Sequence, residues 1–187
     1  TVKKIVGSSI KLKIPFITFF VFSSENWKRP KTEIKFLFKL IKNYFHKEID
    51  NVIKQGIKIN ILGEINELPS DLKKTLIKCE NITKKNKNIN VNLAINYGGK
   101  NEILMAIKKS KKISLKNLEK NLYTKNMPDP EILIRTGGNQ RLSNFMLWQL
   151  AYTELFFLKK LWPDLKLIDL KKIIKKFKSI KRNYGAI

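Results

Sequence analysis

The nine residues Ile14–Phe22, IPFITFFVF, decide how the rest of the chain reads. They form an almost unbroken apolar, β-branched and aromatic run, which suits a strand buried on both faces. Strands of that kind belong to parallel sheets covered by helices on both sides. Beyond Pro30, the positions Ile34, Leu37, Phe38, Ile41, Phe45, Ile49, Val52 and Ile53 recur at helical spacing, up to a helix-ending Gly56. Ile57 to Leu62 (IKINIL) is then a second strand, closed by Gly63. A polar-faced helix is expected from about Ser70, its N-cap, to Lys85. Ile89 to Ile95 (INVNLAI) is a third strand, running into Asn96-Tyr97-Gly98-Gly99.

The alternation continues. Helices are expected near Asn101 to Lys111 and Leu115 to Tyr123, a fourth strand at Glu131 to Ile134, and a helix near Asn144 to Ala151. A strand at Glu154 to Leu158 and a Lys-rich amphipathic helix from Leu167 to Ile180 complete the series. The pattern predicts one α/β domain with a mostly parallel central sheet and helices on both faces. Ligands of such sheets sit beyond the carboxyl ends of the strands, which directs attention to the loops after Phe22, Leu62, Ile95, Ile134 and Leu158.

A formal net charge of +24 on 187 residues points first to a polyanion partner. Yet 35 of the 39 basic residues are Lys, and Lys, Ile and Asn together fill 79 positions, a bias that A+T-rich codons produce by themselves. The Lys excess therefore reads as a background of solvated faces. The informative charges are the four arginines, Arg29, Arg135, Arg141 and Arg182, because a planar bidentate donor is kept where carboxylate or phosphate must be gripped. A hydrophobic content of 43% excludes a disordered basic tail. The single Cys79 excludes an intrachain disulfide and a Cys-based zinc site, and with no signal peptide the chain reads as cytoplasmic. His46, the only His, lies in a helical pattern and is expected as a partly exposed helix residue. No apolar run is long enough to span a membrane.

Two loops carry the chemistry. Ser23-Ser24-Glu25-Asn26-Trp27-Lys28-Arg29-Pro30 follows the first strand with two hydroxyls, a carboxylate, a carboxamide, an indole and a guanidinium. Arg135-Thr136-Gly137-Gly138-Asn139-Gln140-Arg141-Leu142-Ser143-Asn144 follows the fourth and leads into the expected helix. Glycines, a helix N-terminus and two flanking Arg make a sufficient anion cradle, suited to a phosphate or diphosphate. Gly-Gly alone would be an ordinary turn. Glu154 opens a strand in apolar company, either as an ion-pair partner or as a polar or metal ligand. The aromatic helix carrying Phe36, Phe38, Tyr44 and Phe45 is core, or else the wall of an apolar channel.

The segments FSSENWKRP (Phe22 to Pro30), NYGGK (Asn96 to Lys100), IRTGG (Ile134 to Gly138), RLSNFMLWQLAYTELFF (Arg141 to Phe157) and LWPD (Leu161 to Asp164) resemble, in order, the signatures of the cis-prenyltransferases, or isoprenyl transferases. The resemblance implies cis-condensation of isopentenyl diphosphate onto an allylic diphosphate such as farnesyl diphosphate, assisted by Mg²⁺, in a homodimer. By motif position it implies that Arg135, Arg141, Ser143 and the backbone of Leu142 hold isopentenyl diphosphate. Glu154 would be the Mg²⁺-associated glutamate, and Asn26 the proton acceptor, with removal by the diphosphate itself as a competitor. Ser23, Ser24, Glu25, Trp27 and Arg29 would be substrate-binding neighbours, and Arg182 and Gly185 would help complete the partner subunit's site.

The chain departs from the family pattern in places. Asn139 stands where an acid is usual before the second Arg, and Lys100 and Glu102 stand where Arg and Asp are usual. The family's opening strand and Asp-Gly-Asn-x-Arg-Trp loop, which carries a Mg²⁺-binding Asp, are not found, because Thr1 aligns just after them. The expectation is therefore an N-terminally truncated domain over residues 1–187, with one diphosphate pocket, half a metal site and little turnover alone. A non-catalytic partner subunit is the second reading. A basic nucleic-acid binder is the third, opposed by Lys spread over the whole chain and Arg accounted for; no nucleic acid is expected. Contact with an anionic membrane, where a polyprenyl product would partition, is expected to be peripheral.

Overall fold

A computed structural model describes residues 1–183. Its elements are α1 (Val2–Lys11), β1 (Phe16–Ser23), α2 (Lys31–Lys54), β2 (Ile57–Leu62), α3 (Ser70–Thr83) and β3 (Ile89–Tyr97). They continue through α4 (Gly99–Lys109), α5 (Leu115–Glu119), β4 (Ile132–Arg135), β5 (Glu154–Phe157) and α6 (Leu167–Lys178). All strand pairing is parallel, as the alternation predicts. The strands form two groups, a three-stranded row in the order β1-β3-β2 and a pair β4-β5.

The strand buried throughout is β3 and not β1. Val91 to Gly99 are all buried, with β1 paired on one side and β2 on the other. β1 lies at the end of its row, and Phe20 is left about one-third exposed. Across the middle of the row runs a polar ladder. Asn60 Nδ2 donates to Asn92 Oδ1 (2.8 Å), and Asn92 Nδ2 donates to Thr18 Oγ1 (3.1 Å). These residues are register partners, so the ladder locks all three strands in one alignment. The apolar face of α2, with Ile34, Phe38, Ile41, Phe45 and Val52, and that of α3, with Leu72, Leu76 and Cys79, close over the row to form the main core.

Other expectations change in detail. Pro69 occupies the N-cap of α3 and Ser70 is its first helical residue. Thr1 is the N-cap of a helix, α1, although its side chain makes no capping hydrogen bond. The expected helix at 144–151 does not form. Its place is taken by turns, in which Ser143, Asn144 and Met146 have positive φ, a conformation no right-handed helix contains. Helix propensity is a weak prior, and the tertiary contacts of Asn144 described below override it.

Gly63 sets the exit of β2. At φ +131° a Cβ there would lie 2.1 Å from the Ile95 carbonyl oxygen. Gly63→Ala is expected to cost about 3 kcal/mol or more, seen as a lower denaturation midpoint at unchanged m-value. An unchanged midpoint would show that the turn tolerates a side chain.

Candidate functional site

Three loops meet at the carboxyl ends of β1, β3 and β4, and one residue ties them together. Asn144 donates from Nδ2 to Glu25 Oε1 (2.6 Å), accepts at Oδ1 from the Lys100 N–H (2.9 Å), and accepts at its carbonyl from the Gly99 N–H (2.7 Å). Its φ of +62° lets backbone and side chain face both neighbouring loops, a conformation Asn tolerates better than most residues. Gly98 permits the approach, because a Cβ there would meet Ser24 Oγ at 2.5 Å and Asn144 Nδ2 at 2.8 Å.

Within the loop after β4, Arg135 Nη1 donates to the Arg141 carbonyl and to Ser143 Oγ (2.9 Å). Arg135, Arg141 and Ser143 are thus gathered, and Leu142 anchors the loop on the cluster around Leu62, Tyr97 and Phe145. Partial burial, then the like charge of Arg141, lowers the affinity of the Arg135 guanidinium for its proton. Two guanidiniums sharing one exposed loop call for an anion between them. The glycines act differently from expectation. The Gly137 and Gly138 N–H groups donate to the Lys160 and Leu158 carbonyls, both at 2.9 Å, and both residues have positive φ. They shape the turn, and with no helix following, side chains supply the anion donors.

The loop after β1 is a short 3₁₀ turn, Ser24–Lys28. Asn26 Oδ1 accepts the Ser23 N–H (2.9 Å), so its carboxamide oxygen holds the loop's own backbone. Ser24 Oγ donates to Glu25 Oε2 (3.1 Å). Burial alone would raise the Glu25 carboxyl, but hydrogen bonds from Asn144, its own backbone, Ser24 and Ser23 outweigh it and hold it below the usual carboxylate range. Trp27 Nε1 donates to Asn96 Oδ1 (2.8 Å), while its ring packs edge-on against Phe22 and Phe38. Asn96, at φ +50°, donates in turn to the Glu64 carbonyl and to Glu67 Oε2. Arg29 turns to α2, where it pairs with Glu33 (2.7 Å).

Beneath these loops a buried polar knot fixes α4. Glu102 accepts from the Tyr97 hydroxyl, the Tyr123 N–H (2.8 Å) and Gln149 Nε2 (3.1 Å). Burial, reinforced by the Glu102 charge, pushes the Tyr97 hydroxyl far up, so it stays protonated and donates.

Glu154 is not brought to the cradle. It pairs with Ile132 at the start of β5, while Arg135 pairs with Phe157, three residues or roughly 10 Å further along. There Arg182 faces it, Nε to Oε1 at 3.6 Å, and also faces Glu131 at 3.6 Å, donates to the Tyr152 carbonyl (2.6 Å) and lies over the Phe177 ring. Gly185 lies outside the described residues. Among the described residues no three His, Cys, Asp or Glu gather as a metal-ligand set. Glu154 and Glu131 already share the Arg182 guanidinium, which a divalent cation would have to displace.

The family model described as "Putative undecaprenyl diphosphate synthase" matches residues 1–185. The isoprenyl transferase of Clostridium tetani is 39% identical over 198 residues, covering 100% of this chain and 78% of that protein. That of Aquifex pyrophilus is 40% identical over 188 residues, covering 98% and 81%. A crystal structure described as a probable undecaprenyl diphosphate synthase from Campylobacter jejuni superposes with a TM-score of 0.90 at 33% identity, covering 98% of this chain and 89% of that one. Lavandulyl diphosphate synthase from Lavandula x intermedia, in complex with dimethylallyl diphosphate, superposes with a TM-score of 0.92 at 30% identity, covering 98% and 84%.

The Asn144 clamp is testable apart from its backbone conformation. Asn144→Gly keeps the positive φ and removes the carboxamide, and should weaken inorganic diphosphate binding by about tenfold in calorimetry. Binding equal to the parent would mean that the carboxamide positions nothing.

Proposed function

The chain belongs to the undecaprenyl diphosphate synthase family of prenyltransferases, and on that premise we propose that it joins isopentenyl diphosphate to a farnesyl-type allylic diphosphate, repeatedly and with cis geometry, to give a long-chain polyprenyl diphosphate. The observation that carries this reading is the gathering of Arg135, Arg141 and Ser143 on a loop that Asn144 ties to Glu25. Arg135, Arg141 and Ser143 grip the diphosphate that must stay on the homoallylic substrate, and the Leu142 backbone holds the loop's shape. Ser23, Ser24, Glu25 and Trp27 border the allylic substrate, with Arg29 at the rim.

In the reaction the allylic carbon–oxygen bond breaks and its electron pair leaves with the diphosphate. A carbon–carbon bond forms to the alkene of isopentenyl diphosphate, and a proton is then lost from the adjacent carbon. Asn26, whose oxygen caps Ser23, keeps the loop against that carbon, and a diphosphate oxygen takes the proton, since a carboxamide is a weak base. Mg²⁺, when bound, would neutralise charge on the leaving diphosphate. The growing chain would have to widen the small cleft between α1 and α2, about 50 Å³, lined by Val6, Phe45, Val52, Ile57, Ile59 and Leu93 and bordered by the Lys3–Glu48 ion pair. The homodimer belongs to the same proposal, with Arg182 near the contact, as does peripheral contact with a membrane. No helix among the described residues is long and apolar enough to cross one.

Arg135→Lys keeps the charge and loses the bidentate fork. It should raise the Kd for isopentenyl diphosphate by about tenfold or more, with little change for farnesyl diphosphate. Equal losses for both ligands, or none, would remove the assignment. Incorporation of labelled isopentenyl diphosphate into farnesyl-primed polyprenyl product tests the reaction itself.

A further inference from the structure

The opposite edge of the sheet carries a feature that substrate handling does not use. Three turns deliver the chain into the amino ends of β1, β2 and β3, and the parallel register pairs Ile57 with Ile89 and Phe16 with the next residue, Asn90. Hydrogen bonds stitch the turns together: the Asn88 N–H donates to the Gly56 carbonyl and the Asn90 N–H to the Pro15 carbonyl, both at 2.9 Å, while Asn88 Nδ2 donates to the Gln55 carbonyl. They therefore form one continuous surface. Residues 11–15 contribute Lys11 and Lys13, residues 54–56 contribute Lys54, and residues 84–88 contribute Lys84, Lys85 and Lys87, all exposed. None of the three turns contains an acid; the nearest exposed one is Asp50, a helical turn above Lys54. The turn leaving β2 at the other edge is the reverse, with Glu64 and Glu67 and no base between Gly63 and Ser70.

Between the lysines the surface also exposes aliphatic side chains. Ile53, beside Lys54, and Ile82, two residues before Lys84, are both 42% exposed. The apolar groove between α1 and α2 runs down to this edge, where Gln55 and Ile57 line it. Cations, flanking aliphatics and an apolar groove on one face match an anionic lipid surface. A nucleic acid would match the charge, but it gains most from Arg forks and stacking aromatics, and these turns hold neither.

We propose that this lysine-rich edge is the docking face for an anionic bilayer, seating the mouth of the groove against the lipid. The proposal rests on the prenyl-transfer reading for the groove's occupant, while the docking itself rests on charge and exposure. The chain should co-sediment with vesicles of phosphatidylglycerol and phosphatidylcholine, lose most but not all of that binding in high salt, and ignore phosphatidylcholine alone. Replacing Lys54, Lys84, Lys85 and Lys87 together by Gln should lower that partition about a hundredfold. The same number of Lys→Gln changes on α6, at Lys171, Lys172, Lys175 and Lys178, should change it by less than about threefold. Ile53→Ser with Ile82→Ser should remove the part that survives salt. Equal losses from the two lysine sets would overturn the proposal, as would tighter binding of single-stranded RNA than of the vesicles. No readout needs turnover. Vesicle binding by an inactive chain would therefore count against prenyl transfer alone, and an active chain indifferent to vesicles would count against the docking face alone.

Discussion

β3 is hydrogen-bonded along both edges and buried at every residue from Val91, and the placement of the loops follows from that. Its register is set by more than apolar fit. The Asn92 amide, buried in the middle of the strand, is met by Thr18 on one side and Asn60 on the other. A slip of one residue would strand its amide among aliphatics, at a cost of about 1–3 kcal/mol for each unmet group. With the register held, the chain leaves β3 at Asn96 to Gly99 at one fixed height. The loops after β1 and β4 close on that point through Trp27 and Asn144.

Much of this was legible in the sequence because it depends on periodicity. Strand and helix alternation, parallel pairing, and the two Arg-bearing loops follow from residue order alone. Arg135, Arg141 and Ser143 are neighbours in sequence and remain so in space, so a motif reading finds them. What escaped depends on backbone conformation at single residues. The run after Asn144 has the composition of a helix, yet Ser143, Asn144 and Met146 adopt left-handed conformations that tertiary contacts select. Gly137 and Gly138 look like anion donors until their N–H groups are seen bonded to residues 160 and 158. Asn144 sits inside a recognised motif, but only the structure reveals its partners, 119 residues away at Glu25 and 44 away at Lys100. Asn beside a Ser before an aromatic was the one available hint, since Asn is among the residues that best tolerate positive φ.

Charge tells a similar story at a larger scale. The Lys count by itself reflects composition, while two of the four Arg, Arg135 and Arg141, share the loop after β4 and the other two pair with acids elsewhere. Topology then sorts the remainder, because every helix-to-strand turn of the three-stranded row must lie at the same edge. A compositional bias that is uninformative along the chain becomes a polarised surface once those turns are brought together. Acids gather on the turn leaving β2, near the candidate site, and bases at the far edge.

The division of the strands into β1-β3-β2 and β4-β5 has a consequence for cooperativity. Among the described residues no backbone ladder joins the two groups. They meet through side chains, such as Phe145 stacked on Phe20, and through single hydrogen bonds such as Asn144 to Glu25. A ladder breaks only as a whole, whereas isolated links can open one at a time. The loop carrying Arg135, Arg141 and Ser143 belongs to the smaller group. Two hydrogen bonds of Asn144, to Glu25 and to the Lys100 N–H, therefore carry its alignment with the loops after β1 and β3.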